Sequence, residues 1–247
     1  MPKLAILIDS GKGKATERIH QALIELAKTT QGQDYLEIWV GSSQEMGGEI
    51  RKYLKQLHEQ KLGLPVRIFP GNPLQVSAHA DYLLVPSPLN ITRRKIKIAV
   101  FIGKRFIQLS RISAFIRRRK FPKTLPFGYL VLGPGTSVGR KLGARSLDDD
   151  RAFKLIENYI QKNSPWGVYI EAGSGAKQSV ANRDQLIQRT SELTKENITL
   201  CCGGGIRTHE EIETILKAGA DIVVVSTVLE KTEDPKTLME QYLEVYS

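Results

Sequence analysis

The stretch CCGGGIRTHEEIETILKAGADIVVVSTVLE, residues 201–230, decides the fold. An apolar run, Ile198 to Cys202, turns on Gly203, Gly204 and Gly205 and passes into a helix-period segment, His209 to Ala218. A second apolar run, Asp221 to Val225, follows and ends in Ser226-Thr227. Two short apolar runs joined by one amphipathic helix form a βαβ unit with parallel strands. Thr208 precedes Glu211 at capping-box spacing and marks the start of the helix. The glycine turn and Ser226-Thr227 lie one helix and one strand apart, as the two halves of a phosphate site between the last strands of a barrel must.

The same alternation extends to the N-terminus. Strands are expected at Leu4 to Ile8, Leu36 to Val40, Val66 to Phe69, Tyr82 to Val85, Tyr129 to Leu132 and Gly167 to Glu171. With the last two they make eight, the number that closes a (β/α)8 TIM barrel, and 247 residues suit one such phosphate-binding domain spanning 1–247. Amphipathic helices are expected over Ala15 to Lys28, Glu49 to Gln60, Ala152 to Lys162, Arg183 to Lys195, His209 to Ala218 and Pro235 to Tyr246. Pro70 to Ala80 carries little helical pattern, so the barrel helix after the third strand should be short or missing.

Charge is unevenly spread. The chain carries +10, yet no acidic residue stands between Asp81 and Asp148. That interval holds Arg93, Arg94, Lys95, Lys97, Lys104, Arg105, Arg111 and the run Arg117, Arg118, Arg119, Lys120. Between Ile91 and Lys120, apolar residues alternate with these cations, which reads as a cationic amphipathic helix interrupted near Gly103. Such a helix suits an anionic membrane surface, and it equally suits ordinary barrel packing with a solvated basic face. Nucleic acid is disfavoured, because Phe101, Phe106 and Phe115 sit at helical spacing and not as stacking platforms. The 41% hydrophobic content excludes a disordered chain, and the short N-terminal apolar run is too brief for a signal-peptide core. A cytoplasmic protein is expected, with residues 91–120 as a candidate contact with the inner membrane face. Adjacent Cys201 and Cys202 match no metal-ligand spacing and read as buried thiols.

Residues at the C-terminal ends of barrel strands carry chemistry. Asp9 follows the first strand, where a carboxylate can hold Mg2+ against a polyphosphate or simply form a turn. Gly41-Ser42-Ser43 follows the second and offers hydroxyls. The run Tyr169-Ile170-Glu171-Ala172-Gly173-Ser174-Gly175-Ala176 presents Tyr169 and Glu171 on one face and then turns on glycines. A carboxylate there can take a proton from a polyol, and the glycines allow a ligand close.

Together these ends resemble the geranylgeranylglyceryl phosphate synthase family, which includes the bacterial heptaprenylglyceryl phosphate synthases. The resemblance covers nearly the whole chain and is strongest in YIEAGSGA (169–176), residues 201–230 and GYLVLGPGTSVG (128–139). It implies Mg2+-dependent transfer of a prenyl chain, with geranylgeranyl expected, from its diphosphate to the 3-hydroxyl of sn-glycerol 1-phosphate. By that resemblance Asp9 and Ser43 hold the metal, and Tyr169, Ile170, Glu171, Ala172, Gly173, Ser174 and Gly175 form the loop around glycerol phosphate. Gly203, Gly204, Gly205, Ser226 and Thr227 cradle its phosphate, and Glu171, assisted by Tyr169, deprotonates the attacking hydroxyl. The family's usual Asp-Pro-Asp-Lys is here Asp9-Ser10-Gly11-Lys12, one acidic group fewer. A homo-oligomer is expected. Two other readings compete: a barrel isomerase or epimerase acting on a sugar or indole phosphate, and a phosphate-binding barrel that has lost catalysis and docks on anionic membrane or nucleic acid.

Overall fold

The computed structural model describes residues 1–42, 47–116, 118, 120–133, 135–173, 182–194 and 197–246. Its strands β1 (Lys3–Ile8), β2 (Leu36–Val40), β3 (Val66–Ile68), β4 (Tyr82–Pro88), β5 (Lys123–Val131), β6 (Gly167–Glu171), β7 (Thr199–Gly203) and β8 (Ile222–Val225) close into one barrel in sequence order. Every neighbouring pair is parallel, and β8 returns to β1 with Val223 opposite Leu4. The expected (β/α)8 barrel is therefore the fold.

Helices wrap the sheet because each buries one apolar stripe against it. In α1 (Lys14–Leu26) the stripe is Ile19, Leu23 and Leu26, and in α3 (Gly48–Gln60) it is Ile50, Leu54 and Leu57. The same holds for α6 (Asp149–Asn163), α8 (His209–Lys217) and α10 (Pro235–Glu244), while α7 (Arg183–Thr194) buries Leu186 and Ile187 beside Arg183, Thr190 and Thr194. The capping box at Thr208 and Glu211 starts α8 as the spacing implies. Between β3 and β4 the chain makes only a 3-10 turn, Pro73–Gln75, so the barrel helix there is absent. Short helices α2 (Thr30–Tyr35), α5 (Ser137–Leu142) and α9 (Thr227–Lys231) were not legible from periodicity.

Two expectations need correction. Helix α4 (Arg94–Ile116) runs unbroken through Gly103, which is buried on the helix's inward side. Strand β5 starts at Lys123, six residues before the expected start, because register with β4 overrides Pro126 and Gly128.

The barrel interior is filled by large rings. Trp39 on β2, Phe69 after β3, Phe127 and Tyr129 on β5 and Tyr169 on β6 contact one another with centroids 5.3–6.3 Å apart. Lower in the barrel, Glu37 and Arg67 form a two-point ion pair of 3.0 and 2.8 Å. The guanidinium also lies 4.8 Å from the Tyr82 ring and 5.0 Å from the Trp166 ring. Glu37 is 1% exposed, so a charge that would be costly alone is held by a matched fork and two π faces. Cys201 and Cys202 are buried free thiols.

Candidate active site

The hollow that matters opens at the C-terminal ends of β6, β7 and β8, and its volume is about 170 Å3. Tyr169 and Glu171 form one wall, Gly204 to Arg207 a second, and Val224 to Val228 with Lys231 a third. Strand register brings the walls together, with Glu171 opposite Gly203 and Gly203 opposite Val224.

Glu171 is 5% exposed, yet it borders the hollow. The Gly173 N–H donates to its Oε1 at 3.3 Å, and the Tyr129 hydroxyl donates to the same carboxylate. Glycine is required beside it. A Cβ on Gly204 would lie 2.0 Å from Glu171 Oε1, and a Cβ on Gly203 would lie 2.1 Å from the Tyr169 hydroxyl. Gly204 and Gly205 also hold φ of +88° and +78°, a region side chains disfavour. The loop after β7 is thus shaped so that backbone, and nothing bulkier, faces the carboxylate and the phenol.

Burial pushes the Tyr169 phenol well above its usual range, and the Glu171 charge adds to the effect. Tyr129 behaves likewise: burial first, then Glu171. Both rings stay protonated near neutral pH, and Tyr129 donates to Glu171. Glu171 is therefore the group in this wall with the chemistry of a base.

The third wall ends at the start of α9. The first N–H groups of a helix have no acceptor within it, so Thr227 and Val228 turn donor-rich backbone toward the hollow, with the Lys231 ammonium one turn on. Ser226 donates to Glu230 at 3.3 Å. Backbone donors, Arg207 and Lys231 around a small space favour an anion.

Several expected residues lie elsewhere. Ile170 and Ala172 are fully buried but pack outward among the residues between sheet and helices, the alternate face of β6 from Tyr169 and Glu171. Ser174, Gly175 and Ser43 fall outside the described residues. Asp9 follows β1 two positions after Leu7, which lines the hollow. Its Oδ1 accepts from the Gly11 N–H at 3.1 Å, so the turn-forming role anticipated for it is real. Sequence reasoning missed Tyr129, whose partnership with Glu171 depends on strand register, and Lys231, on a helix too short to show a period. Among the described residues no group of three His, Cys, Asp or Glu converges as a metal site.

The fold and the hollow are those of a (β/α)8-barrel enzyme with its site at the C-terminal strand ends. The model of the PcrB family matches residues 5–245, so the chain belongs to that family, and with it to the geranylgeranylglyceryl phosphate synthase-like prenyltransferases. A geranylgeranylglyceryl phosphate synthase of Ignicoccus hospitalis is 32% identical over 87% of this chain and 81% of its own. One of Methanosphaera stadtmanae is 30% identical over 93% and 89%. The crystal structure of the Thermoplasma acidophilum (S)-3-O-geranylgeranylglyceryl phosphate synthase with its substrate sn-glycerol-1-phosphate superposes with a TM-score of 0.78. It is 26% identical and is covered to 92% by 99% of this chain.

Proposed function

We propose that the chain joins a prenyl diphosphate, geranylgeranyl in the first instance, to the 3-hydroxyl of sn-glycerol 1-phosphate and so makes an ether lipid precursor. The observation that carries the reading is Glu171, a buried carboxylate bordering a hollow whose opposite wall is glycine backbone and a helix start. In this reading glycerol phosphate sets its phosphate against Gly204, Gly205, Thr227 and Lys231 and its 3-hydroxyl toward Glu171. That hydroxyl gives its proton to Glu171 as its oxygen bonds to C1 of the prenyl chain. The bond from C1 to the diphosphate breaks, and its electron pair leaves with the diphosphate. Tyr129 and Gly173 hold the carboxylate in place before the step, so orientation is set in advance. The ring-packed interior below the hollow keeps water from the developing carbocation.

Mg2+ would be held by Asp9, which follows β1, and by Ser43. One carboxylate and one hydroxyl suit an ion that retains waters and phosphate oxygens, and when bound it would neutralise charge on the departing diphosphate. The test is incubation with Mg2+, sn-glycerol 1-phosphate and prenyl diphosphates from C10 to C35, reading prenylglyceryl phosphate by mass spectrometry. A single favoured length supports the reading and gives the chain specificity. Glycerol phosphate binding without product at any length would contradict it.

A further inference from the structure

Helix α4 has two apolar faces. Gly103 and Ile107 turn inward and are buried, as barrel packing requires. On the opposite side Ile98, Phe101, Ile102, Leu109, Ile112 and Ile116 share one face and are 49–73% exposed. Of the large apolar residues left exposed among the described residues, nearly all lie on this one helix. A contiguous apolar stripe of this size on a soluble fold marks a docking surface.

Charge selects the occupant. Cations flank the stripe: Lys97, Lys104 and Arg111 lie along one edge, and Arg105, within the stripe, lays its guanidinium 5.5 Å from the Phe101 ring. No carboxylate occurs between Asp81 and Asp148. Beside the first turn of α4 a second hollow of about 390 Å3 is lined in part by Lys97, Arg145, Arg151 and Lys154. A symmetric pairing of two copies would set this cationic surface against itself, because an isologous interface uses the same patch twice. At 23 residues α4 has the length to cross a bilayer, but its cations keep it from doing so, and no helix of the described residues is apolar enough to span. Apolar side chains between cations on a helix that cannot span are the chemistry of a surface-lying membrane helix.

We infer that the outward face of α4 docks the barrel on an anionic lipid surface, its apolar residues entering the acyl boundary and its cations meeting phosphate headgroups. Because α4 begins directly after β4, at the barrel end that carries Glu171, docking holds the active-site mouth beside the bilayer. A long prenyl diphosphate and its ether product both reside there. The inference goes beyond the proposed reaction and does not depend on it.

The test uses the full chain without substrates, with vesicles of phosphatidylcholine alone or with about one third phosphatidylglycerol, read by co-sedimentation. Wild type should partition onto the anionic vesicles at least roughly 10-fold better than onto neutral ones. Arg105→Gln with Arg111→Gln should remove most of that preference. Phe101→Ser with Leu109→Ser should abolish the part that survives high salt, where screening leaves only apolar insertion. Phe101→Trp supplies a second readout, a blue-shifted emission on adding anionic vesicles. Both double variants should keep the wild-type thermal midpoint, since they alter exposed side chains. Failure of wild type to bind, or binding indifferent to both double variants, would overturn the inference. So would a wild-type dimer that does not bind vesicles and that Phe101→Ser with Leu109→Ser splits into monomers, because the face would then belong to a second copy.

Discussion

Gly204→Ala is the sharpest perturbation of the site. At φ +88° a side chain is strained, by about 1–2 kcal/mol. The new Cβ would also stand 2.0 Å from Glu171 Oε1 and 2.9 Å from the Gly173 nitrogen. Restoring an ordinary carbon–oxygen separation of about 3.3 Å moves the carboxylate or the loop by roughly 1 Å. A displacement of that size costs on the order of 100-fold in rate, or about 2.7 kcal/mol of transition-state stabilisation. The strain alone should lower the thermal midpoint by roughly 2–8 °C. Gly48→Ala is the control, because a Cβ there meets nothing within 4 Å and its backbone is ordinary. Turnover under saturating substrates, with thermal denaturation of both variants, makes the comparison. Gly48→Ala should match wild type in both. Gly204→Ala with turnover within about threefold of wild type would refute the idea that Glu171 must sit where the glycine loop lets it sit.

Further expectations concern the barrel floor, pH and the anion wall. Arg67→Ala strands the buried Glu37 carboxylate and should lower unfolding free energy by about 3–5 kcal/mol, seen as a reduced urea midpoint at unchanged slope. Burial raises the Tyr129 and Tyr169 phenols well above their usual range and pushes Tyr242 and Cys202 up to about 12. Groups whose folded values are raised lend stability that is complete below their unfolded values, about 8.5 for thiols and 10 for phenols, and drains as pH climbs toward the folded ones. Urea midpoints should therefore fall steadily above about pH 9, and a flat alkaline profile would contradict the burial of these groups. Lys231→Gln should raise KM for glycerol phosphate severalfold with kcat unchanged, the pattern of a contact made equally in ground and transition states.

The strands were legible because a parallel barrel buries both faces, leaving short unbroken apolar runs such as Ile222–Val225. Legibility failed where a neighbour imposed the structure. Strand β4 continues through Pro86-Ser87-Pro88 because β5 pairs with it over that length. Helix α4 survives Gly103 because its inward face is packed. Glu37 and Arg67 each stand in an otherwise apolar strand, and the β2–β3 pairing brings them together. At the site, the carboxylate, phenol and glycines were readable from period two and turn chemistry. The Tyr129 hydrogen bond was not, since it joins strands whose register the sequence does not state. Lys231 sits on a five-residue helix, too brief for periodicity to register.

In the proposed reaction one hollow serves two tasks, anchoring the phosphate on backbone and Lys231 and removing the proton with Glu171. Calorimetric titration of Glu171→Gln with sn-glycerol 1-phosphate, paired with single-turnover product formation, separates them directly. Affinity should stay close to wild type while the rate falls by roughly 100- to 10,000-fold. A variant that binds glycerol phosphate normally and still turns over near the wild-type rate would remove Glu171 from the chemistry.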